Sequence, residues 1–207
     1  GSACVLDSPA LRSEKVSVSR EKLSVSEGGS RGDSSMTDTL PPHEEHERRF
    51  LVDDLTILEG ATHQEIKQAY LWAEDGYAVR VRLTHSSDLG EEPHAYLTLK
   101  GPRDSHNPYM RYEVEQVIDP AHAEEIIQRA EHVVTKRRYA VIAEGKTFDI
   151  DVFTGRNEGL VIAEFEGSPK TVAQMNRPWF TSKEVTQDTR YSNDRLAFRP
   201  FETWEER

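Results

Sequence analysis

From His43 onward, apolar and polar side chains change places every second residue, the period of an extended strand whose two faces meet different surroundings. His43 to Val52 reads as a first strand, with Glu45, Glu47 and Arg49 on one face and His46 and Arg48 on the other. A short capped turn around Asp54 and Leu55 to Leu58 follows. Gln64 to Trp72 then reads as a second strand, with Gln64, Ile66, Gln68, Tyr70 and Trp72 sharing a face. Asp75-Gly76 is a two-residue hairpin turn, and Tyr77 to Thr84 returns with Val79, Val81 and Leu83 opposite Arg80 and Arg82. Three more strands are predicted from the same alternation at 94–100, 109–118 and 133–143, and two at 147–153 and 160–166. Pro120 at a first helical position behind Asp119 as N-cap predicts a helix to about Ala130, with Ala123, Ile126, Ile127 and Ala130 at helical spacing. Ser168-Pro169 predicts a second, short helix, and 176–207 is a basic and aromatic closing segment of loops or short helix.

The first 42 residues break this pattern. They are serine-rich with few large apolar side chains, and Pro41-Pro42 closes them. Such a composition buries too little surface to offset the entropy of ordering, so 1–42 is expected to be a disordered tail and linker and 43–207 the folded domain. Gly1-Ser2 reads as a cloning remnant and Met36 as a candidate natural start.

Composition narrows the function classes. The chain has 207 residues, 36% hydrophobic and 30% charged, with 26 Lys and Arg against 37 Asp and Glu for a net charge of −11. A field of that sign argues against a duplex nucleic-acid partner. One cysteine, Cys4, excludes an internal disulfide and a cysteine-built zinc site. The histidines lack zinc-type spacing. No apolar run reaches the ~20 residues of a membrane span and no signal peptide is visible, so the expected setting is the cytoplasm, as a monomer or homodimer.

Collecting one face from each strand gives Glu45, Glu47, Arg49, Arg80, Arg82, Lys100, Arg111, Glu113, Glu115, Lys136, Arg138, Asp149, Asp151, Glu164 and Glu166. Paired acids and paired bases thus change places from strand to strand, opposite an apolar set. Spread over an exterior surface they would be ion pairs worth only ~0 to 1 kcal/mol each. Eight antiparallel strands also close into a barrel, and if the ionic face points inward the lumen becomes a charged channel. That channel suits a linear polyanion with its own metal. Arg and Lys neutralise phosphoryl oxygens, while oxygen-only ligation by carboxylates suits Mg²⁺ or Mn²⁺.

At this point the sequence resembles the CYTH superfamily, the triphosphate tunnel metalloenzymes. Glu45-His46-Glu47-Arg48-Arg49 is similar to their first-strand Glu-x-Glu-x-Lys, with Arg in the last place. The resemblance continues through Gln68-Ala69-Tyr70-Leu71, Arg80-Val81-Arg82, Leu97-Thr98-Leu99-Lys100-Gly101, Arg111-Tyr112-Glu113, Lys136-Arg137-Arg138-Tyr139, Asp149-Ile150-Asp151-Val152-Phe153, the run from Gly159 to Glu166, and Lys183 to Asn193. It implies an α+β fold, an eight-stranded antiparallel β-barrel with a few flanking helices, that hydrolyses a triphosphate with Mg²⁺ or Mn²⁺. Under it Glu45, Glu47, Glu113, Asp149, Asp151, Glu164 and Glu166 form the acidic, metal-ligating set. Arg49, Arg80, Arg82, Lys100, Arg111, Lys136, Arg138 and Lys183 grip phosphate, with Lys183 at the mouth. Lys136, Tyr70 and Arg49 are the candidates for positioning the attacking water, although a guanidinium stays protonated and cannot handle a proton.

The expected activity is hydrolysis of inorganic triphosphate. A class IV-type adenylate cyclase, a thiamine or nucleoside triphosphatase, and a non-catalytic polyphosphate or nucleotide sensor share the same charge pattern.

Overall fold

The alternating segments form one nine-stranded antiparallel sheet in a computed structural model that describes residues 46–87, 91–103, 105 and 111–205. In chain order the strands are β1 (Glu47–Val52), β2 (His63–Glu74), β3 (Tyr77–Ser86), β4 (His94–Arg103), β5 (Arg111–Ile118), β6 (Val133–Ala143), β7 (Lys146–Thr154), β8 (Val161–Glu166) and β9 (Thr181–Glu184). Their order in the sheet is β5-β4-β3-β2-β6-β7-β8-β1-β9. The antiparallel class is as expected from the sequence. The strand number is nine instead of eight, because 181–184, placed in loops or helix by its composition, pairs with β1 through Phe50↔Glu184 and Leu51↔Lys183. Among the described residues β5 and β9 are not paired with each other, so both remain edges of the sheet.

Local chemistry accounts for the turns. Asp75-Gly76 and Glu144-Gly145 each place two successive residues at positive φ (49° and 82°, 52° and 70°), the geometry of a tight hairpin whose twist matches its strands. One prediction about β2 needs correction. The register slips between Tyr70 and Trp72, so Tyr70 lies opposite Arg80 but Trp72 lies opposite Val79. The extra residue turns Trp72 to the opposite face from Gln68 and Tyr70, as a bulge does.

Two apolar layers cover the outside of the sheet. Helix α1 (Pro120–Arg129) is capped by Asp119, whose carboxylate accepts the Ala121 N–H at 2.8 Å. Its Ala123 and Ile127 pack on Ala69, Val81, Leu83 and Ala95 behind β2, β3 and β4. Helix α2 (Pro169–Gln174) starts behind Ser168, which accepts from the Thr171 N–H at 3.2 Å. Its Val172, with Met175 and Phe180, packs on Phe50, Phe148, Ile150, Ala163 and Phe165.

The inner face is graded. Reading toward one end of the strands, Glu47 and Arg49 give way to Leu51, Glu166 and Glu164 to Ile162, Asp149 and Asp151 to Phe153, Arg138 and Lys136 to Val134, and Arg82 and Arg80 to Ala78. All five rows turn apolar at the same end. There Leu196, Ala197 and Trp204 from the closing segment pack against Tyr70, Ala78, Val134, Phe153 and Ile162 and form a floor. Helix α3 (Asn193–Phe198) and the turn at Phe201–Thr203 carry that segment. Asn157 ties it down: its Oδ1 accepts the Phe201 N–H at 2.8 Å and its Nδ2 donates to the Leu196 carbonyl at 3.3 Å.

Candidate active site

Above the floor lies a cavity of about 510 Å³. Its wall takes Glu47 and Arg49 from β1, Arg80 and Arg82 from β3, Lys100 from β4, Glu113 and Glu115 from β5, Arg138 from β6, and Glu164 and Glu166 from β8. Strands β1 and β5 stand far apart in the sheet order, so the sheet curls until both face one space. The ionic rows predicted from the sequence therefore converge on a shared interior. Tyr70, Ala78, Ser192, Asn193 and Asp194 complete the lining at the floor.

The cations are held in different ways. Arg80 is 4% exposed; its Nη2 donates to Thr98 Oγ1 at 2.9 Å and stands 3.4 Å from Glu115 and 3.7 Å from Glu113. Lys100 Nζ contacts Glu113 Oε2 at 2.6 Å. Arg82 Nε donates to Gln68 Oε1 at 2.8 Å. Burial, then the neighbouring Arg80 and Arg138, brings the Arg82 pKa down to about 10, so it stays charged at neutral pH. Arg49 is 5% exposed, donates from Nη2 to the Thr186 carbonyl at 3.2 Å, and has Glu47 Oε1 at 3.7 Å from Nε.

Arg138 is the most heavily engaged. Its Nε and Nη2 donate to the two oxygens of Asp151 at 2.7 and 2.6 Å, Nη1 to Asp149 at 2.9 Å, and Nη2 also to Glu164 at 2.6 Å. Burial works against that charge, but Asp151, Glu164 and Asp149 outweigh it and raise the Arg138 pKa well above its ordinary value.

Lys136 and Asp151 sit below the cavity wall as a fully buried ion pair at 2.5 Å, with Asn193 Oδ1 accepting from the same ammonium at 3.0 Å. Burial favours the neutral form of both, and the outcome depends on the number of partners. Burial would raise Asp151, yet Arg138 and Lys136 together bring it down to about 2. Lys136 has one carboxylate, shared with Arg138, and burial takes it down to about 8. Tyr70, 4% exposed, is both part of the floor and part of the lining; burial raises its phenol pKa, so it faces the cavity as a neutral group.

The remaining sequence candidates divide cleanly. Glu45 and the Arg111 side chain lie outside the described residues. Lys183 is exposed on β9 and is not in the cavity wall. Asp149 reaches the site through Arg138. Sequence reasoning missed Thr98, Gln68, Thr186, Asn193 and Asp194. Thr98 and Gln68 were legible, since they share strand parity with Lys100 and Tyr70. The other three come from loops and a helix start, where no period reports which way a side chain points.

Two features test whether anions and metal ions fit. Among the described residues, the buried Nε atoms of Arg49 and Arg80 have no hydrogen-bond partner. The cavity wall carries five cationic and six carboxylate side chains, so a polyanion entering it needs added positive charge. Among the described residues no three His, Cys, Asp or Glu side chains form a ready-made metal cluster. The donors at hand are carboxylates on adjoining strands, Glu47 opposite Glu166 and Asp149 opposite Glu164, an all-oxygen set that matches Mg²⁺ or Mn²⁺ chemistry. Among the described residues no helix is long and apolar enough to cross a membrane.

No family profile matches the chain. It is 35% identical over 164 residues to an inorganic triphosphatase of Acetivibrio thermocellus, covering 78% of this chain and 98% of that protein. It is equally 35% identical over 159 residues to an inorganic triphosphatase of Nitrosomonas europaea, covering 74% of this chain and 96% of that protein. Among solved structures, the crystal structure of an inorganic triphosphatase superposes with a TM-score of 0.52 at 29% identity, over 74% of this chain and 93% of that one.

Proposed function

Because the chain belongs to the family of the inorganic triphosphatases, we propose that its cavity binds inorganic triphosphate and hydrolyses it with a divalent metal ion, Mg²⁺ or Mn²⁺. The observation that carries this reading is the pair of buried guanidinium Nε atoms on Arg49 and Arg80 in one cavity wall, neither of which makes a hydrogen bond among the described residues. A buried donor left unpaired costs ~1 to 3 kcal/mol, and more when charged, so the site is built for acceptors that arrive with a ligand. A chain of phosphoryl groups brings acceptor oxygens to both.

In this reading Arg49, Arg80, Arg82, Lys100 and Arg138 grip the phosphoryl oxygens. Glu47, Glu164, Glu166 and Asp149 hold the metal ion, which when bound adds the missing positive charge and polarises the phosphorus. Water adds to a terminal phosphorus, the bridging P–O bond breaks, and orthophosphate and pyrophosphate leave. Most of the acceleration comes from positioning and charge neutralisation, so the chain needs no serine or cysteine nucleophile. Neutral Tyr70 orients the water from the floor. Lys136, locked between Asp151 and Asn193, fixes the base of the cation row.

The test is a substrate panel of tripolyphosphate, ATP and thiamine triphosphate with Mg²⁺ or Mn²⁺, scored separately for orthophosphate and pyrophosphate. Tripolyphosphate is expected to be turned over fastest, and chelation with EDTA to abolish turnover. Pyrophosphate with cyclic AMP from ATP would instead identify a cyclase, and tight triphosphate binding without turnover a sensor.

A further inference from the structure

A guanidinium has five N–H bonds to give. Arg138 makes four hydrogen bonds to carboxylates, two with Asp151 and one each with Asp149 and Glu164. One N–H therefore remains for an incoming anion, although Arg138 lines the cavity. The residues it holds explain why. Asp149 and Glu164 are register partners on β7 and β8. Two carboxylates so placed repel unless a cation joins them, and here the cation is Arg138.

The three carboxylates are not equivalent. Asp151 is fully buried and grips the guanidinium with both oxygens, while Asp149 and Glu164 reach it with one oxygen each from the more open side, their side chains 43% and 18% exposed. We propose that Arg138 is an exchangeable counter-ion. It surrenders Glu164 and Asp149 to a divalent ion, stays pinned to Asp151, and turns the released N–H groups toward the phosphoryl chain. Metal ion and triphosphate thus bind with positive coupling, each raising the affinity of the other by the same factor. Lys136, enclosed with Asp151 and Asn193, has no comparable freedom. This inference rests on the triphosphatase reading and adds to it the residue that links the two ligands.

The experiment measures binding, not turnover. Mn²⁺ is titrated by electron paramagnetic resonance, and a triphosphate analogue with NH bridges is titrated calorimetrically, each with and without the other. In the unaltered protein the analogue is expected to bind about tenfold tighter with Mn²⁺ present, within the range usual for linked sites. Arg138→Met should bind Mn²⁺ alone more tightly, since the competing cation is gone, and should keep only the coupling that direct contact between metal ion and phosphate supplies. Should that variant fail to fold, Glu164→Gln decides: with EDTA present it should bind the analogue more tightly than the parent, where loss of a simple metal ligand predicts no change. Unchanged coupling in Arg138→Met, or no gain in Glu164→Gln, overturns the exchange. If the parent protein hydrolyses tripolyphosphate but fails these binding tests, the triphosphatase reading stands alone; if it neither binds nor hydrolyses triphosphate, both fall.

Discussion

Thr186 holds Arg49 at two points: its Oγ1 accepts the Arg49 backbone N–H at 3.0 Å and its carbonyl accepts from Arg49 Nη2 at 3.2 Å. The hydroxyl in turn donates to Glu184 at 2.8 Å, and Glu184 is clamped by Arg48. A residue beyond β9 thus aims a guanidinium of the cavity wall. Thr186→Val keeps the shape and removes the hydroxyl acceptor. It should cost about 1 kcal/mol of stability and lower kcat/KM for triphosphate roughly tenfold through misplacement of Arg49. Thermal melting and steady-state kinetics check the two effects separately, and an unchanged kcat/KM would remove Thr186 from the site.

Arg80 is expected to be intolerant of Lys. Its Nη2 meets Thr98 while its Nε has no partner among the described residues, a division of labour that an ammonium cannot reproduce. Arg80→Lys should raise KM by roughly tenfold or more, the loss of one charge-assisted hydrogen bond at ~1.5 to 3 kcal/mol, with little change in melting temperature. An equal KM would contradict the forked contact.

The buried pair below the wall sets a pH dependence whose sign is fixed. Asp151 drops from 3.8 to about 2 on folding, so its contribution to stability is complete above 3.8 and lost as pH falls from there toward 2. Lys136 drops from 10.5 to about 8, so the unfolded chain holds the extra proton between those values and stability gains as pH rises through that window. Asp151→Asn should abolish the acid-side loss and destabilise at neutral pH by ~3 to 5 kcal/mol, because two cations lose their shared carboxylate. Urea midpoints from pH 2 to 10 would test both limbs.

Asn157 anchors the floor without touching the cavity, through Phe201 and Leu196. Asn157→Ala should cost ~1 to 3 kcal/mol by leaving the Phe201 N–H and the Leu196 carbonyl unpaired, and should loosen the closing segment ahead of the sheet. Faster amide exchange at Leu196 than in β3 is the expected signature.

What could be read from the chain follows from range. The alternation of Arg80 and Arg82 against Val79 and Val81 is a property of adjacent residues, so it survives in sequence and gave the inner face of β3 correctly. The same holds for Asp149 and Asp151 against Ile150. Trp72 departs from the alternation because a single bulged residue reverses parity without changing composition. Thr186 and Asn193 were invisible for a different reason: their partners, Arg49 and Lys136, lie more than fifty residues away. The opposition of Asp149 and Glu164, and with it the role of Arg138, depends on register between strands, which no single segment encodes.

The pairing of Glu47 with Glu166 spans more than a hundred residues, and the floor beneath it is laid by Leu196 and Trp204. During synthesis β1 must therefore emerge and wait, its inward acids and bases unmatched, until nearly all the described chain has left the ribosome. Contacts so distant along the chain favour slow folding. The floor is the last part of the chamber to be synthesised, and a ribosome that stalls before Leu196 leaves a sheet without Leu196, Ala197 and Trp204 at its base.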